Sequence, residues 1–185
     1  MGDGSNPPLP DAKDLRLVVY PDPGLRRRVP KIETFDDDTV QKLEAIGKRM
    51  LEMMREHEGV GLAGPQAAVQ ARVFVMNATG EPDGDRVYVN PTLSDPDGED
   101  EAEEGCLSLP DIRTPVLRAT KLRMQAKTPA GEPIDETAEG FVARVWQHEV
   151  DHLDGKLILD RMPATVKMAN RKKLRDLEAA ATKVK

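Results

Sequence analysis

FVARVWQHEVDHLDG, residues 141–155, is the stretch on which the reading of this chain turns. Its apolar residues recur with helical spacing and the pattern closes at Gly155. On such a helix His148 and His152 stand one turn apart and project from the same face, with Glu149 beside them. Two of the chain's three histidines are therefore placed to hold one metal ion, next to a carboxylate able to move protons. The bland alternative is a surface helix that happens to carry polar residues.

Outward from this helix, the chain reads as one α+β domain. LRLVVY (15–20) has the look of a short strand ended by the turn PDPGL. A helix follows, capped by Asp36, Asp37 and Asp38, with Val40, Leu43, Ile46, Met50, Met53 and Met54 on one face and a stop at Gly59. Those methionines are core filling, and His57 is a capping or surface residue rather than a ligand. RVFVM (72–76) and RVYVN (86–90) alternate as half-buried strands and can pair as a hairpin. SDPDGEDEAEE (94–104) reads as a solvated acidic loop. KLRMQAK (121–127) alternates again, and TPAGEP turns the chain towards the histidine helix. From Pro163 onward, Val166, Ala169, Leu174, Leu177 and Ala181 mark a terminal amphipathic helix with a basic outer face.

The domain plan is therefore a disordered tail over 1–14, a folded body over 15–162, and a basic helix over 163–185 packed on the same body. Period and turn signals alone support the fold class α+β and no more.

With 32% charged and 38% hydrophobic residues in 185, the chain has the composition of a globular protein that buries its own core. Nothing reads as a membrane span or a secretory leader, and Asn6 stands where a myristoylation signal wants Ser or Thr. The single cysteine, Cys106, fits a reducing compartment, so the expected location is cytoplasmic. The net charge of −6 argues against nucleic acid, specific DNA included, as the main partner. That charge is uneven: from Arg161 to Lys185, eight Lys or Arg face only Asp176 and Glu178, a local +6, leaving −12 on residues 1–160.

Two histidines need a further protein ligand to make a catalytic site with an open position. The HExxHxxGxxH pattern is met through Gly155, but Ile158 replaces its third histidine. Glu178 is the one carboxylate at a suitable downstream distance, yet it lies in a basic helix where local ion pairs are its ordinary use. Cys106 is the other candidate. A thiolate is a good ligand for zinc or ferrous iron, although a lone cysteine also serves as a small buried hydrophobe.

GVGLAGPQ (59–66), EGCLS (104–108) and QHEVDH (147–152) together resemble the three motifs of the peptide deformylases, GxGxAAxQ, EGCLS and QHExDH. The resemblance extends from about Leu15 to Met162, which makes 15–162 the expected catalytic deformylase domain, and it implies an α+β fold of small, largely antiparallel sheets around a central metal-binding helix, with a C-terminal amphipathic helix. One position departs: Gly64 stands where the family usually has its second alanine, a missing methyl expected to be tolerated but to loosen the loop. The resemblance implies a metal-dependent hydrolase that removes the formyl group from the N-terminal formyl-methionine of new polypeptides. It implies Cys106, His148 and His152 as ligands of one divalent metal, with water in the fourth position as the attacking group and Glu149 as general base and acid. The oxyanion donors it implies are the metal, the Gln66 side chain and the backbone amide of Leu107. Gln66 has an ordinary use as a turn residue, and Gly59 and Gly61 as a helix cap and turn.

The resemblance also places Gly59, Val60 and Gly61 against an extended substrate backbone, and Arg113 near it, although a plain surface arginine fits there as well. Phe141 and Val145, a turn before His148, are the choices for an apolar methionine pocket. Arg144 either interrupts that pocket or lays its stem along it. Ferrous iron is the metal expected in the cell, with Zn2+, Ni2+ or Co2+ accepted by the same ligands in purified protein. The basic terminal helix is expected to be an anionic docking surface, on the ribosome as in some family members. Two rivals are a zinc endopeptidase, which lacks its third ligand here, and a non-catalytic metal-stabilised binding domain.

Overall fold

The computed structural model describes residues 5–182. Among the described residues, seven strands form two antiparallel sheets, and of five α-helices one lies between them. The larger sheet has the order β1 (Gly61–Ala63), β2 (Val73–Met76), β3 (Arg86–Asp97), β6 (Lys121–Lys127), β7 (Pro133–Glu139). The smaller pairs β4 (Asp100–Cys106) with β5 (Leu109–Arg118). The α+β expectation holds.

Helix α1 (Asp37–Glu56) begins where the three aspartates predict: Asp36 accepts a hydrogen bond from the Thr39 amide at 2.9 Å. A cap of this kind contributes about 1 kcal/mol. The buried face of α1 is Leu43, Ile46, Met50, Met53 and Met54, against Val73 and Val75 of β2. The opposite face of β2, Phe74 and Met76, packs with Trp146 and Leu153 of α2 (Gly140–Leu153). Helices on both sides explain why all four residues of β2 are buried, where simple alternation predicts a half-exposed strand. The strand pairs expected from RVFVM and RVYVN form a register with Phe74 opposite Tyr88, and the two rings lie 4.9 Å apart.

The acidic run 94–104 is not a loop. Residues up to Asp97 end β3, and Asp100 opens β4, which pairs with β5 in a register that sets Asp100 opposite Arg118. Cross-strand opposite charge and an inward-facing edge outweigh the low strand propensity of Asp and Glu. LRLVVY, by contrast, is extended without joining a ladder: the Val18 amide donates to the Gln66 carbonyl at 2.8 Å, and the Tyr20 amide to the Ser108 carbonyl at 2.9 Å. Its two partners belong to separate turns, so no sheet can form.

The tail expected over 1–14 is ordered over its described part. Asn6 accepts from the Glu33 and Thr34 amides and donates to Thr34 and Thr39 side chains, and Leu9 packs on the core beside α1. Residues 1–4 of that tail and 183–185 of the terminal helix lie outside the described residues.

The single terminal helix expected after Pro163 is two, α4 (Ala164–Ala169) and α5 (Arg171–Thr182), breaking at Asn170. They follow the short α3 (Ile158–Arg161). Val166, Leu174 and Leu177 dock on a third cluster that includes Val18, Leu25, Leu109 and Ile112. No helix among the described residues is long and apolar enough to cross a membrane.

Candidate metal centre

Helix α2 is held on both sides. Trp146, fully inside, fixes its rear face on the larger sheet, while Gln147 donates to the Ala119 carbonyl at 2.9 Å and accepts from the Ala119 amide at 3.0 Å. These contacts aim His148 and His152 at the smaller sheet, with Glu149 between them and the Gly61 edge of the larger one. Strand periodicity then supplies the counterpart, because Glu104 and Cys106 are two residues apart and lean to the same side of β4.

Cys106 Sγ lies 3.3 Å from His152 Nε2, which lies 3.3 Å from His148 Nε2. The three donor atoms fall within 4.8 Å of one another. One thiolate and two imidazoles at this spacing fit a single divalent transition metal, with zinc and ferrous iron both suited to the donor set. Glu178, the alternative third ligand, is elsewhere: it accepts the Tyr20 hydroxyl at 2.7 Å.

His148 is oriented by Glu104, whose Oε2 sits 3.0 Å from its Nδ1, leaving Nε2 turned towards His152. Glu104 is in turn clamped by Arg118 through two bonds of 2.9 Å, and Arg118 reaches Asp151 at 2.5 Å. Arg161 from α3 closes the chain on Asp151 at 2.6 Å. Burial alone would raise the Glu104 pKa, but the hydrogen bonds of Arg118 and His148 outweigh it and hold the carboxyl well below the usual range. For His148 burial opposes the charged ring, yet Cys106 and Glu104 outweigh it and the pKa is raised. His152 moves the other way, its burial reinforced by the charge of His148.

Glu149 is 3% exposed, and its Oε2 has no hydrogen-bond partner among the described residues. Burial raises its pKa to about 7, against the lowering pull of His148 and Arg118. Its carboxylate lies directly on Gly61, where a Cβ would overlap it. Gly59 likewise lies against the Leu107 side chain, with a Cβ placed 2.8 Å from Cδ1. Gln66 is 2% exposed, its Oε1 accepting from the Ala63 amide at 2.9 Å and its Nε2 facing Cys106 Sγ at 3.3 Å. Residues from the three separated motifs thus touch pairwise around one point.

The family description matching residues 14–168 is that of the polypeptide deformylases. The chain belongs to the peptide deformylase family. It is 41% identical over 163 residues to a peptide deformylase of Thermotoga petrophila, covering 88% of this chain and 95% of that one. With that of Alkalilimnicola ehrlichii it shares 39% over 166 residues, covering 88% and 90%. Among solved structures, the peptide deformylase of Plasmodium falciparum superposes with a TM-score of 0.83 at 32% identity, covering 90% of this chain and 97% of that one. The Thermus thermophilus enzyme gives 0.81 at 36%, covering 89% and 98%. Peptide deformylases are metal-dependent hydrolases, and Cys106, His148 and His152 form a cluster that could hold one metal ion.

Of the other residues singled out in this deformylase-family chain, Arg113 is an exposed residue of β5 opposite Gly105, near Glu103 at 3.5 Å. Val60 and Phe141 are open to solvent at 43% and 54%, whereas Val145 is buried in the cluster joining α2 to the larger sheet. Phe141 is therefore the one of the pair that a ligand can reach. Arg144 sends its guanidinium to Glu104 and the carbonyls of Val116 and Asp100, each at 2.8 Å.

Gly64, the departure from the family pattern, is tighter than expected rather than looser. A Cβ there would meet the carbonyl oxygens of Val69 at 2.7 Å and Ala71 at 2.8 Å. Backbone fills the space of the missing methyl. Sequence reasoning missed Glu104, Arg118, Asp151 and Arg161 altogether. Two of them sit inside recognised motifs, and a charged residue at an inward strand position was the available signal.

Proposed function

We propose that this chain removes the formyl group from the N-terminal formyl-methionine of newly made polypeptides, using Cys106, His148 and His152 to hold one divalent metal. The convergence of Gln66, Cys106, Ser108, His148, Glu149 and His152 around one point is the observation that carries this reading. A bound dication supplies Lewis acidity and lowers the pKa of a coordinated water from about 15.7 towards neutrality.

The protein's own groups do the rest. Glu149, buried beside the two histidines with no partner on its Oε2 among the described residues, is placed to accept a proton and return it to the departing amine. Gln66 offers an N–H from its Nε2, and Leu107 its backbone amide, to the oxygen on which negative charge develops. Strand β1 is the edge of the larger sheet, so an extended peptide adds there as a further strand along Gly59, Val60 and Gly61. Phe141 supplies the accessible apolar wall for a methionine side chain, and Arg113 lies on the peptide's path. Ferrous iron is the cellular metal in this reading, with Zn2+, Ni2+ or Co2+ as substitutes, and the cytoplasm is the place of action.

Protein reconstituted anaerobically with iron is expected to release formate from formyl-Met peptides. Metal-loaded protein that yields no formate, or that cuts internal bonds of unformylated peptides instead, overturns the assignment.

The exposed basic residues of α4 and α5, Lys167, Arg171, Lys172 and Arg175, give this enzyme a docking face for the ribosome's phosphate backbone. Reversing Lys172 and Arg175 to Glu is expected to weaken ribosome binding at low salt by about tenfold or more and to flatten its salt dependence. Unchanged affinity in a sedimentation assay would remove the ribosome from this account.

A further inference from the structure

The hydroxyl of Ser108 is completely buried and its bonding is directional. It donates its only proton to the Val18 carbonyl at 2.7 Å, which leaves it an acceptor towards Gln66 Nε2 at 3.2 Å. At the other end of the same amide, the Ala63 N–H can only donate, so it fixes Oε1 as the acceptor. A glutamine amide rotated by half a turn would oppose donor to donor at Ala63 and leave Ser108 facing an oxygen with no proton to give. Only one orientation of Gln66 therefore satisfies both neighbours. In that orientation one N–H of Nε2 goes to Ser108 and the other is directed at Cys106 Sγ, 3.3 Å away, on the side of the candidate metal pocket.

The acceptor state of Ser108 is itself set from outside the site. Val18 receives the serine proton and also donates its own amide to the Gln66 carbonyl, while Tyr20 donates to the Ser108 carbonyl. The extended segment Val18–Tyr20 thus straps the turn bearing Gln66 to the turn bearing Ser108.

We propose that Ser108 is a positioning residue for deformylation, holding the Gln66 amide in the one flip state that presents an N–H to the developing oxyanion. This rests on the role given to Gln66 above. Because Ser108 acts only through Gln66, the two residues must be non-additive, whereas a residue that merely supports the fold would lower activity equally in either background.

The test is formate release from a formyl-Met peptide by wild type, Ser108→Ala, Gln66→Ala and the double variant, with metal content measured in each. Ser108→Ala is expected to lower kcat about tenfold, in keeping with the loss of one oriented hydrogen bond, with KM and metal content little changed. In the Gln66→Ala background the same change should alter kcat by less than about twofold. Ser108→Cys, which keeps the size and a weaker acceptor, should fall between wild type and Ser108→Ala and serves if the alanine variant does not fold. A full kcat in Ser108→Ala, or the same loss in both backgrounds, overturns the proposal. Wild-type kcat in Gln66→Ala would overturn the oxyanion role of Gln66 and this inference with it. Failure of wild type to release formate would instead strike at the proposed function.

Discussion

Arg118→Ala is expected to destabilise the fold by about 3–5 kcal/mol, the usual cost of removing one member of a buried ion pair. Arg118 has a side chain 1% exposed between Glu104 at 6% and Asp151 at 12%. Truncating it leaves two carboxylates in a low-dielectric site. Arg144 and Arg161 remain on their outer sides, at 2.8 Å from Glu104 and 2.6 Å from Asp151, which keeps the loss from being larger. The pH dependence is signed. The folded-state pKa values of Glu104 and Asp151 are both depressed, so their stabilising contribution is present above the unfolded carboxylate pKa and is lost as pH falls through the folded values. Wild type should therefore lose part of its advantage over Arg118→Ala in acid. Urea titrations followed by circular dichroism at neutral and acid pH measure this, and a difference below about 1 kcal/mol at pH 7 would show that the network carries little of the fold's stability.

Glu149→Gln is expected to lower kcat by about 10^2–10^4-fold while the metal stays bound, because it removes a general base and acid without touching a ligand. Its stability should move in the opposite direction. In metal-free protein, burial raises the Glu149 pKa from the ordinary 4.5 to about 7, so the folded state binds a proton that the unfolded chain has released. That costs stability progressively between those two pH values and at a constant level above them, and glutamine escapes it. A melting-temperature gap favouring the variant should open across this window. Formate assays, metal analysis and thermal melts of the metal-free proteins separate the effects. Full activity in Glu149→Gln would end the proton-transfer role, and a gap independent of pH would mean that the burial of this carboxylate carries no energetic cost.

How much of this was legible in the sequence depended on whether a residue's task was local. The cap at Asp36, the methionine face of α1, the alternation of 121–127 and the helix bearing HEVDH all follow from periodicities of one element. The acidic run misled because composition is blind to a partner strand: Asp100 and Glu104 belong to a ladder only because β5 brings Arg118 beside them. LRLVVY misled in the opposite sense, since a strand-like composition cannot say whether its amides will meet one neighbour or two. At the site, Cys106, His148, Glu149 and His152 stood out through the three motifs. Arg118 belongs to none of them, and its role appears only when β5 and α2 are seen together. The pocket expectation divided for the same reason: Val145 and Phe141 share a helix face, and only the packing of the larger sheet decides that one is covered and the other open.

The clamping of α2 between two sheets has a consequence for turnover. Trp146 and Gln147 lock the rear of the helix, while Glu104 and the carboxylate-guanidinium chain lock its front. The conformational entropy lost in ordering His148, Glu149 and His152 is therefore surrendered once, when the chain folds, and is not lost again each time a peptide arrives. Binding free energy released by an incoming formylated terminus is left to act on the reacting amide itself.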